Sequence, residues 1–127
     1  MIYRLLILVL LLFASNNVFC ENITKVGEKT RAASLSIKDN SDDIIGTGFV
    51  IKGDKIITNY HVVEAILDES SSIFVSEFDS QSKIKVTLKY YDEYNDIAVL
   101  ETYAEFDNYL IFDDNELKPG TTVHACG

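Results

Sequence analysis

The chain has 127 residues, with 20 acidic against 11 basic side chains and a formal net charge of −9 at pH 7. Phosphate backbones and anionic bilayers repel such a chain, which argues against nucleic acids and anionic membrane surfaces as partners. The length suits one domain of modest core and is too short for two.

Residues 1–20 have the pattern of a secretory signal peptide. Arg4 precedes an apolar run from Leu5 to Ala14, and a polar stretch then leads to Cys20, after which we expect cleavage. The run is too short to cross a bilayer, which needs roughly 20 apolar residues, so no stable membrane span is expected. The pattern predicts a secreted or periplasmic protein. An uncleaved anchor, a buried helix and a lipoprotein acylated at Cys20 remain alternatives, the last disfavoured by the bulky Phe19.

The rest of the chain is typical of β-structure, after a polar stretch at residues 21–31 that predicts a flexible lead-in. Leu35 and Ile37 alternate with polar residues, which predicts a first strand, and the polar cluster at residues 39–43 predicts a hairpin loop. The next apolar run contains Gly46 and Gly48, where a bulge, a sharp bend or a close backbone approach is expected. The remaining predicted elements are strands at Ile44–Ile51, Lys55–Thr58, Ile73–Phe78, Lys83–Tyr90, Asp96–Glu101 and Thr121–Cys126, and a short helical turn at His61–Leu67.

The clearest periodicity lies in the strand at Lys83–Tyr90. Apolar residues at every second position, from Ile84 to Tyr90, predict a half-exposed strand with one wet face. Six or seven short strands separated by turn signals predict an all-β fold, a small antiparallel barrel or sandwich.

Two segments carry chemistry. The first runs from Gly46-Thr-Gly-Phe-Val-Ile to Thr58-Asn-Tyr-His61-Val-Val, and the second, Asn95-Asp96-Ile-Ala-Val-Leu, places its aspartate 35 residues after the histidine. Together with Leu117-Lys-Pro-Gly-Thr-Thr-Val, they resemble the chymotrypsin-fold (trypsin-like) serine proteases, especially the bacterial HtrA/Deg-type branch. Val62 stands where animal digestive proteases usually have a cysteine, which also favours the bacterial branch.

The resemblance runs from about residue 32 to the end and implies a fold and two roles. Residues 32–127 would form the N-terminal part of a trypsin-like peptidase domain, a six- to seven-stranded antiparallel β-barrel, with the second barrel missing. His61 would be the general base that takes a proton from a serine hydroxyl. Asp96 would orient His61 and stabilise its charged form. The family needs no cofactor or metal.

The nucleophile of such a protease follows the aspartate in chain order, within a Gly-x-Ser-Gly loop, and residues 97–127 contain no serine. The sequence therefore predicts a secreted, HtrA-like serine endopeptidase that is present here as a truncated chain, inactive alone. Completed by a second barrel, it would act on protein or peptide substrates; in one alternative a second chain supplies that barrel. The alternative is a non-catalytic cell-envelope interaction module. Either form could self-associate through an exposed barrel face.

Three other residues are given no catalytic role. His124 lies in a predicted strand and is interpreted as structural, and its pairing with His61 lacks the spacing and cysteine partners of a zinc site. Cys126 matches an inter-barrel strand, so it is not taken as a thiol nucleophile. If Cys20 leaves with the signal peptide, Cys126 has no partner and no disulfide is expected within the chain.

Overall fold

Six strands close into an antiparallel barrel in the described part of the chain, which comprises residues 24–67 and 72–125 of a computed structural model. Around the barrel the strand order is β1-β2-β3-β6-β5-β4, and β4 pairs with β1 to complete the ring. The predicted all-β barrel is confirmed. The predicted signal peptide and Cys126 lie outside the described residues. The strands are β1 Ser34–Lys38, β2 Ile44–Ile51, β3 Lys55–Thr58, β4 Ile73–Glu77, β5 Ile84–Asp92 and β6 Ile97–Glu101.

The core occupies the inside of the barrel because β1, β3 and β6 bury apolar residues at alternate positions. Leu35 and Ile37 on β1, Ile56 on β3 and Leu100 on β6 are at most 1% exposed. Successive side chains of a strand point to opposite faces, so each of these strands contributes every second residue to the core. The two-residue period seen in the sequence therefore does set which face of each strand is buried.

Residues 24–33 form a helix, α1, where the sequence led us to expect a flexible lead-in up to residue 31. The helix ends on the fully buried Ala33, and Arg31 reaches the β4–β5 turn. The Arg31 guanidinium lies 2.6 Å from the Asp79 carboxylate and 4.5 Å from the centre of the Phe78 ring. These tertiary contacts, which local composition does not reveal, hold a polar segment in helical form.

The second helix, α2 Tyr60–Leu67, covers the barrel beside β2. Val63 and Ile66, three residues apart, are its buried side chains and enter the core on one helical face. Val62 packs directly over Gly46: a Cβ atom at Gly46 would lie only 2.6 Å and 2.8 Å from its two methyl carbons. The predicted close approach at Gly46 is therefore confirmed, and its partner is the helix that carries His61.

Strand β5 changes face partway along its length. From Ile84 to Leu88 the alternation holds as predicted, but the register shifts between Leu88 and Tyr90. Leu88 pairs with the buried Leu100, whereas it is Tyr91, not Tyr90, that pairs with the buried Ala98. An extra residue in one strand has this effect. The predicted inward position of Tyr90 was wrong, and the side chain is 59% exposed.

After β6 the chain crosses the barrel without further strands. Phe106 is buried in the core, and the Leu110 N–H donates to the Val50 carbonyl oxygen at 2.8 Å. The turn predicted at Lys118-Pro-Gly is present, since the Thr121 N–H donates to the Lys118 carbonyl oxygen. The strand predicted at Thr121–Cys126 was wrong for its described residues, 121–125, which are exposed and irregular. Unlike Leu110, which bonds to β2, residues 121–125 pair with none of the barrel strands.

Among residues 24–67 and 72–125, no helix has the length and apolar character needed to cross a membrane.

Substituting Gly46 should displace α2. We expect Gly46→Ala to lower the free energy of unfolding by about 1–3 kcal/mol, because the added methyl overlaps Val62. Urea unfolding measures the change. Gly27→Ala is the matched control: it lies within α1, has nothing within 4 Å of the added carbon, and should be neutral or stabilising.

A second substitution identifies the overlap as the cause. Val62→Ala removes the two methyl carbons, so the Gly46→Ala, Val62→Ala double variant should lose less stability than the two single losses added together. Strict additivity would contradict the proposed packing.

Candidate active site

The barrel brings His61 and Asp96 together because β3 and β6 are antiparallel neighbours. Thr58, the last residue of β3, pairs with Ala98 near the start of β6. Asn59 and His61 lie just beyond the end of β3, and Asp96 lies just before β6, so all three meet at one end of the barrel. The two residues predicted to form the site are thus in contact in the structure.

Two hydrogen bonds join Asp96 to His61. The His61 Nδ1 atom lies 2.7 Å from Asp96 Oδ2, and the His61 backbone N–H donates to Asp96 Oδ1 at 2.9 Å. A carboxylate only accepts, so in this contact Nδ1 carries the proton. The other ring nitrogen, Nε2, is then the acceptor of the neutral ring, which is the form a general base requires.

Asn59 holds Asp96 from a third direction. Its side-chain amide donates to the Asp96 backbone carbonyl oxygen and to Oδ2, both at 3.1 Å. Asp96 itself has a φ of 54°, in the left-handed region that aspartate tolerates better than most residues. Its N–H donates to the Glu93 carbonyl oxygen at 3.3 Å, which closes the β5–β6 turn. The sequence segment Thr-Asn-Tyr-His thus supplies both the histidine and the amide that holds its carboxylate partner.

These donors favour the charged form of Asp96. The His61 backbone N–H is the largest cause of a pKa below the ordinary 3.8, and the His61 side chain and the Asn59 amide act in the same direction, against a smaller desolvation effect. The His61 side chain is 67% exposed and the Asp96 side chain 42%. The pair therefore consists of an ionised carboxylate and an imidazole open to solvent.

A stacked pair of tyrosines flanks the site and was not foreseen from the sequence. The rings of Tyr60 and Tyr91 have centroids 4.9 Å apart and an interplanar angle of 18°. Tyr60 directly precedes His61 in α2. No sequence signal would have found this contact, because the two-residue period of β5 placed Tyr91 on the outer face, and only the bulge brings it inward.

A cavity of 540 Å³ lies beside Asp96 and Asn59. Ser34 lines it, but the Ser34 hydroxyl donates to the Thr30 carbonyl oxygen at 2.9 Å and is thus committed to α1. His124 also lines this cavity and is exposed, in an irregular segment, so its predicted position in a strand was wrong. Within the described ranges, no group of three or more potential metal ligands is present.

Solved protease structures share this barrel. A protease from M. tuberculosis, Rv3671c, in its active form, is 28% identical with a TM-score of 0.58, over 73% of this chain and 40% of that one. Deg5 is 24% identical with a TM-score of 0.63, over 79% of this chain and 52% of that one. The serine endoprotease from Yersinia pestis is 22% identical with a TM-score of 0.57, over 70% and 32%.

The last two likenesses show the fold alone, and that fold is the predicted antiparallel barrel. The chain spans about half or less of the length of each structure that it matches. No curated protein matches the sequence.

The family model of the trypsin-like peptidase domain matches residues 46–127. The matched segment begins at Gly46 and contains both His61 and Asp96. The chain belongs to the family of trypsin-like peptidase domains.

Proposed function

We propose that this chain is the base-carrying half of a secreted serine endopeptidase, which hydrolyses peptide bonds in proteins or peptides. The observation that carries the proposal is the 2.7 Å contact between His61 Nδ1 and Asp96 Oδ2, reinforced by the bond from the His61 backbone N–H. A histidine held by a carboxylate in this way is the arrangement that activates a serine hydroxyl.

In the proposed reaction His61 is the general base. With Nδ1 protonated and bound to Asp96, Nε2 accepts the proton of a serine hydroxyl as that oxygen attacks the peptide carbonyl carbon. The imidazolium then returns the proton to the leaving amine. Asp96 stays ionised because its pKa is lowered, mainly by the His61 backbone N–H, and its charge stabilises the imidazolium.

We propose that the nucleophile and the oxyanion hole come from a second barrel. The segment after Asp96 contains no serine, and Ser34, which lines the adjoining cavity, is bonded to the Thr30 carbonyl oxygen. The match covers only 40% of the Rv3671c chain and 52% of the Deg5 chain, which leaves room in them for a second barrel. A donor of the oxyanion hole is worth roughly 10² to 10³ in turnover, so we expect the chain alone to be inactive.

The proposal is tested by completing the protein. Reading the DNA beyond codon 127 should reveal a Gly-x-Ser-Gly segment in the same or a neighbouring frame. Expressed together with that segment, the chain should give a product that a fluorophosphonate labels on the new serine, whereas the present chain should not be labelled. If no such segment exists and no second chain restores labelling, the endopeptidase proposal is wrong.

In the completed protein, Asp96→Asn should lower kcat by about 10⁴-fold, because an amide no longer holds His61 in the Nδ1–H form. Hydrolysis of a peptide substrate at neutral pH measures the effect. Asp92→Asn is the matched control, since Asp92 lies on the same hairpin but accepts from Asn95 instead of His61. An Asp96→Asn variant as active as the control would remove Asp96 from the mechanism.

The site should also contribute to stability in a pH-dependent way. The folded pKa of Asp96 lies below the ordinary 3.8, so its contribution is present above that pH and is lost as the pH falls through the lower, folded value. Asp92 behaves alike, because the Asn95 side chain and backbone N–H lower its pKa. Urea unfolding, measured from neutral pH to about pH 2, should show that the free energy of unfolding falls less on acidification for Asp96→Asn than for the wild type. If the free energy of unfolding falls as much on acidification in both Asp96→Asn and Asp92→Asn as in the wild type, the predicted pH dependence is wrong.

We further propose that residues 1–20 direct secretion to the periplasm or the exterior. The support is the order of Arg4, the apolar run and Cys20. N-terminal sequencing of the protein recovered from an expressing culture should begin at Glu21. A blocked terminus that carries lipid at Cys20 would instead establish the lipoprotein alternative.

A further inference from the structure

We propose that Tyr60 and Tyr91 are positioning residues for His61, and that the bulge in β5 exists to bring them together. The inference rests on the proposed role of His61 as general base. These two residues would act through the position of the imidazole.

The β5–β6 hairpin contacts the first turn of α2 at two successive residues. Asp96, in the turn of the hairpin, binds the backbone and ring of His61. Tyr91, on strand β5 of the same hairpin, stacks on Tyr60 with centroids 4.9 Å apart. The stack thus adds a contact at Tyr60 to the two bonds at His61 and to the buried side chains of Val63 and Ile66 that hold the helix on the barrel.

The bulge decides which tyrosine takes part. In an antiparallel pair, residues directly opposite each other project from the same face of the sheet. Tyr91 is opposite the buried Ala98 and so shares the inner face, while Tyr90 is opposite Val99 on the other face. Continued alternation from Leu88 would have reversed these positions. Bulges that re-aim a side chain are frequent beside active sites.

The geometry of the rings suits a positioning role. Near-parallel aromatic rings at this distance have a favourable stacking energy beyond the area they bury. Tyr60 is half-buried and packs against the core, whereas Tyr91 is 50% exposed, so the stack joins the helix turn to an exposed ring of β5. Its loss should therefore loosen the first turn of α2 and leave the barrel intact.

The test compares variants of the full chain by NMR. Exchange of the His61 amide hydrogen reports its bond to Asp96, and the ¹⁵N shifts of the ring report whether Nδ1 or Nε2 carries the proton. Asp96→Asn gives the reference for a lost contact, and His124→Gln assigns the ring signals, because the chain has two histidines. Tyr90→Ala is the matched control, a tyrosine of similar exposure on the opposite face.

We expect Tyr91→Ala to speed exchange of the His61 amide by about three- to tenfold relative to Tyr90→Ala, the factor that corresponds to one aromatic stack. In Tyr91→Ala, the His61 ring should show a larger population with the proton on Nε2. Exchange of the Leu100 amide in the barrel should be unchanged. Tyr91→Phe, which keeps the stack, should restore the wild-type values, a rescue that a role through the hydroxyl would not give.

Equal His61 exchange and equal ring signals in Tyr91→Ala and Tyr90→Ala would overturn the proposal. If Tyr91→Ala unfolds the barrel, Tyr91→Leu replaces it, because leucine retains apolar bulk without a ring. Exchange of the His61 amide that is faster in Tyr91→Leu than in Tyr91→Phe supports the proposal. Equal exchange in these two variants overturns it. None of these measurements needs a nucleophile. Failure of serine labelling in the completed protein would overturn the proposed function and leave the NMR contrast as it is.

Discussion

The geometry of the site depends on one carboxylate that accepts hydrogen bonds from several donors at once. Asp96 binds the ring and the backbone N–H of His61 and the side-chain amide of Asn59. These donors keep it charged although part of its surface is covered. The same bonds fasten α2 to the start of β6, so the orientation of His61 and the local structure depend on the same atoms. A carboxylate with a single partner would hold the imidazole far less firmly, since one bond leaves rotation about it free.

The glycines of the Gly46-Thr-Gly48 segment belong to this arrangement through packing. Gly46 allows Val62 of α2 to rest directly on β2. A Cβ atom at Gly48 would lie 2.9 Å from the Ile56 side chain and 3.0 Å from the Ile57 carbonyl oxygen on β3. Both glycines therefore act on the strand and helix that flank Asn59 and His61. The two glycines carry no reactive group, yet the positions of Asn59 and His61 depend on them.

Much of the fold could be predicted from the sequence, because the barrel buries one face of each strand and the two-residue period records that face. Leu35, Ile37 and Leu100 illustrate it. The contact of His61 with Asp96 was expected from the family resemblance and not from spacing alone. What could not be predicted depends on contacts distant in sequence: α1 is held by Arg31 against Phe78 and Asp79, and the Tyr60–Tyr91 stack requires a bulge that leaves no mark in the composition. The supposed strand at residues 121–125 has strand-like composition, but it pairs with no strand of the barrel.

The pairing of β3 with β6 also has a kinetic meaning. It joins Thr58 to Ala98, far apart in the chain, while β2–β3 and β5–β6 are local hairpins. A contact between residues so far apart forms only after the long loop between them has lost its conformational entropy. Topologies rich in such contacts therefore fold slowly. His61 and Asp96 lie immediately beyond this pairing, so they meet only when the two hairpins dock. A newly made chain would thus hold its histidine and aspartate apart until the barrel closes, so the contact between them appears only when the fold is complete.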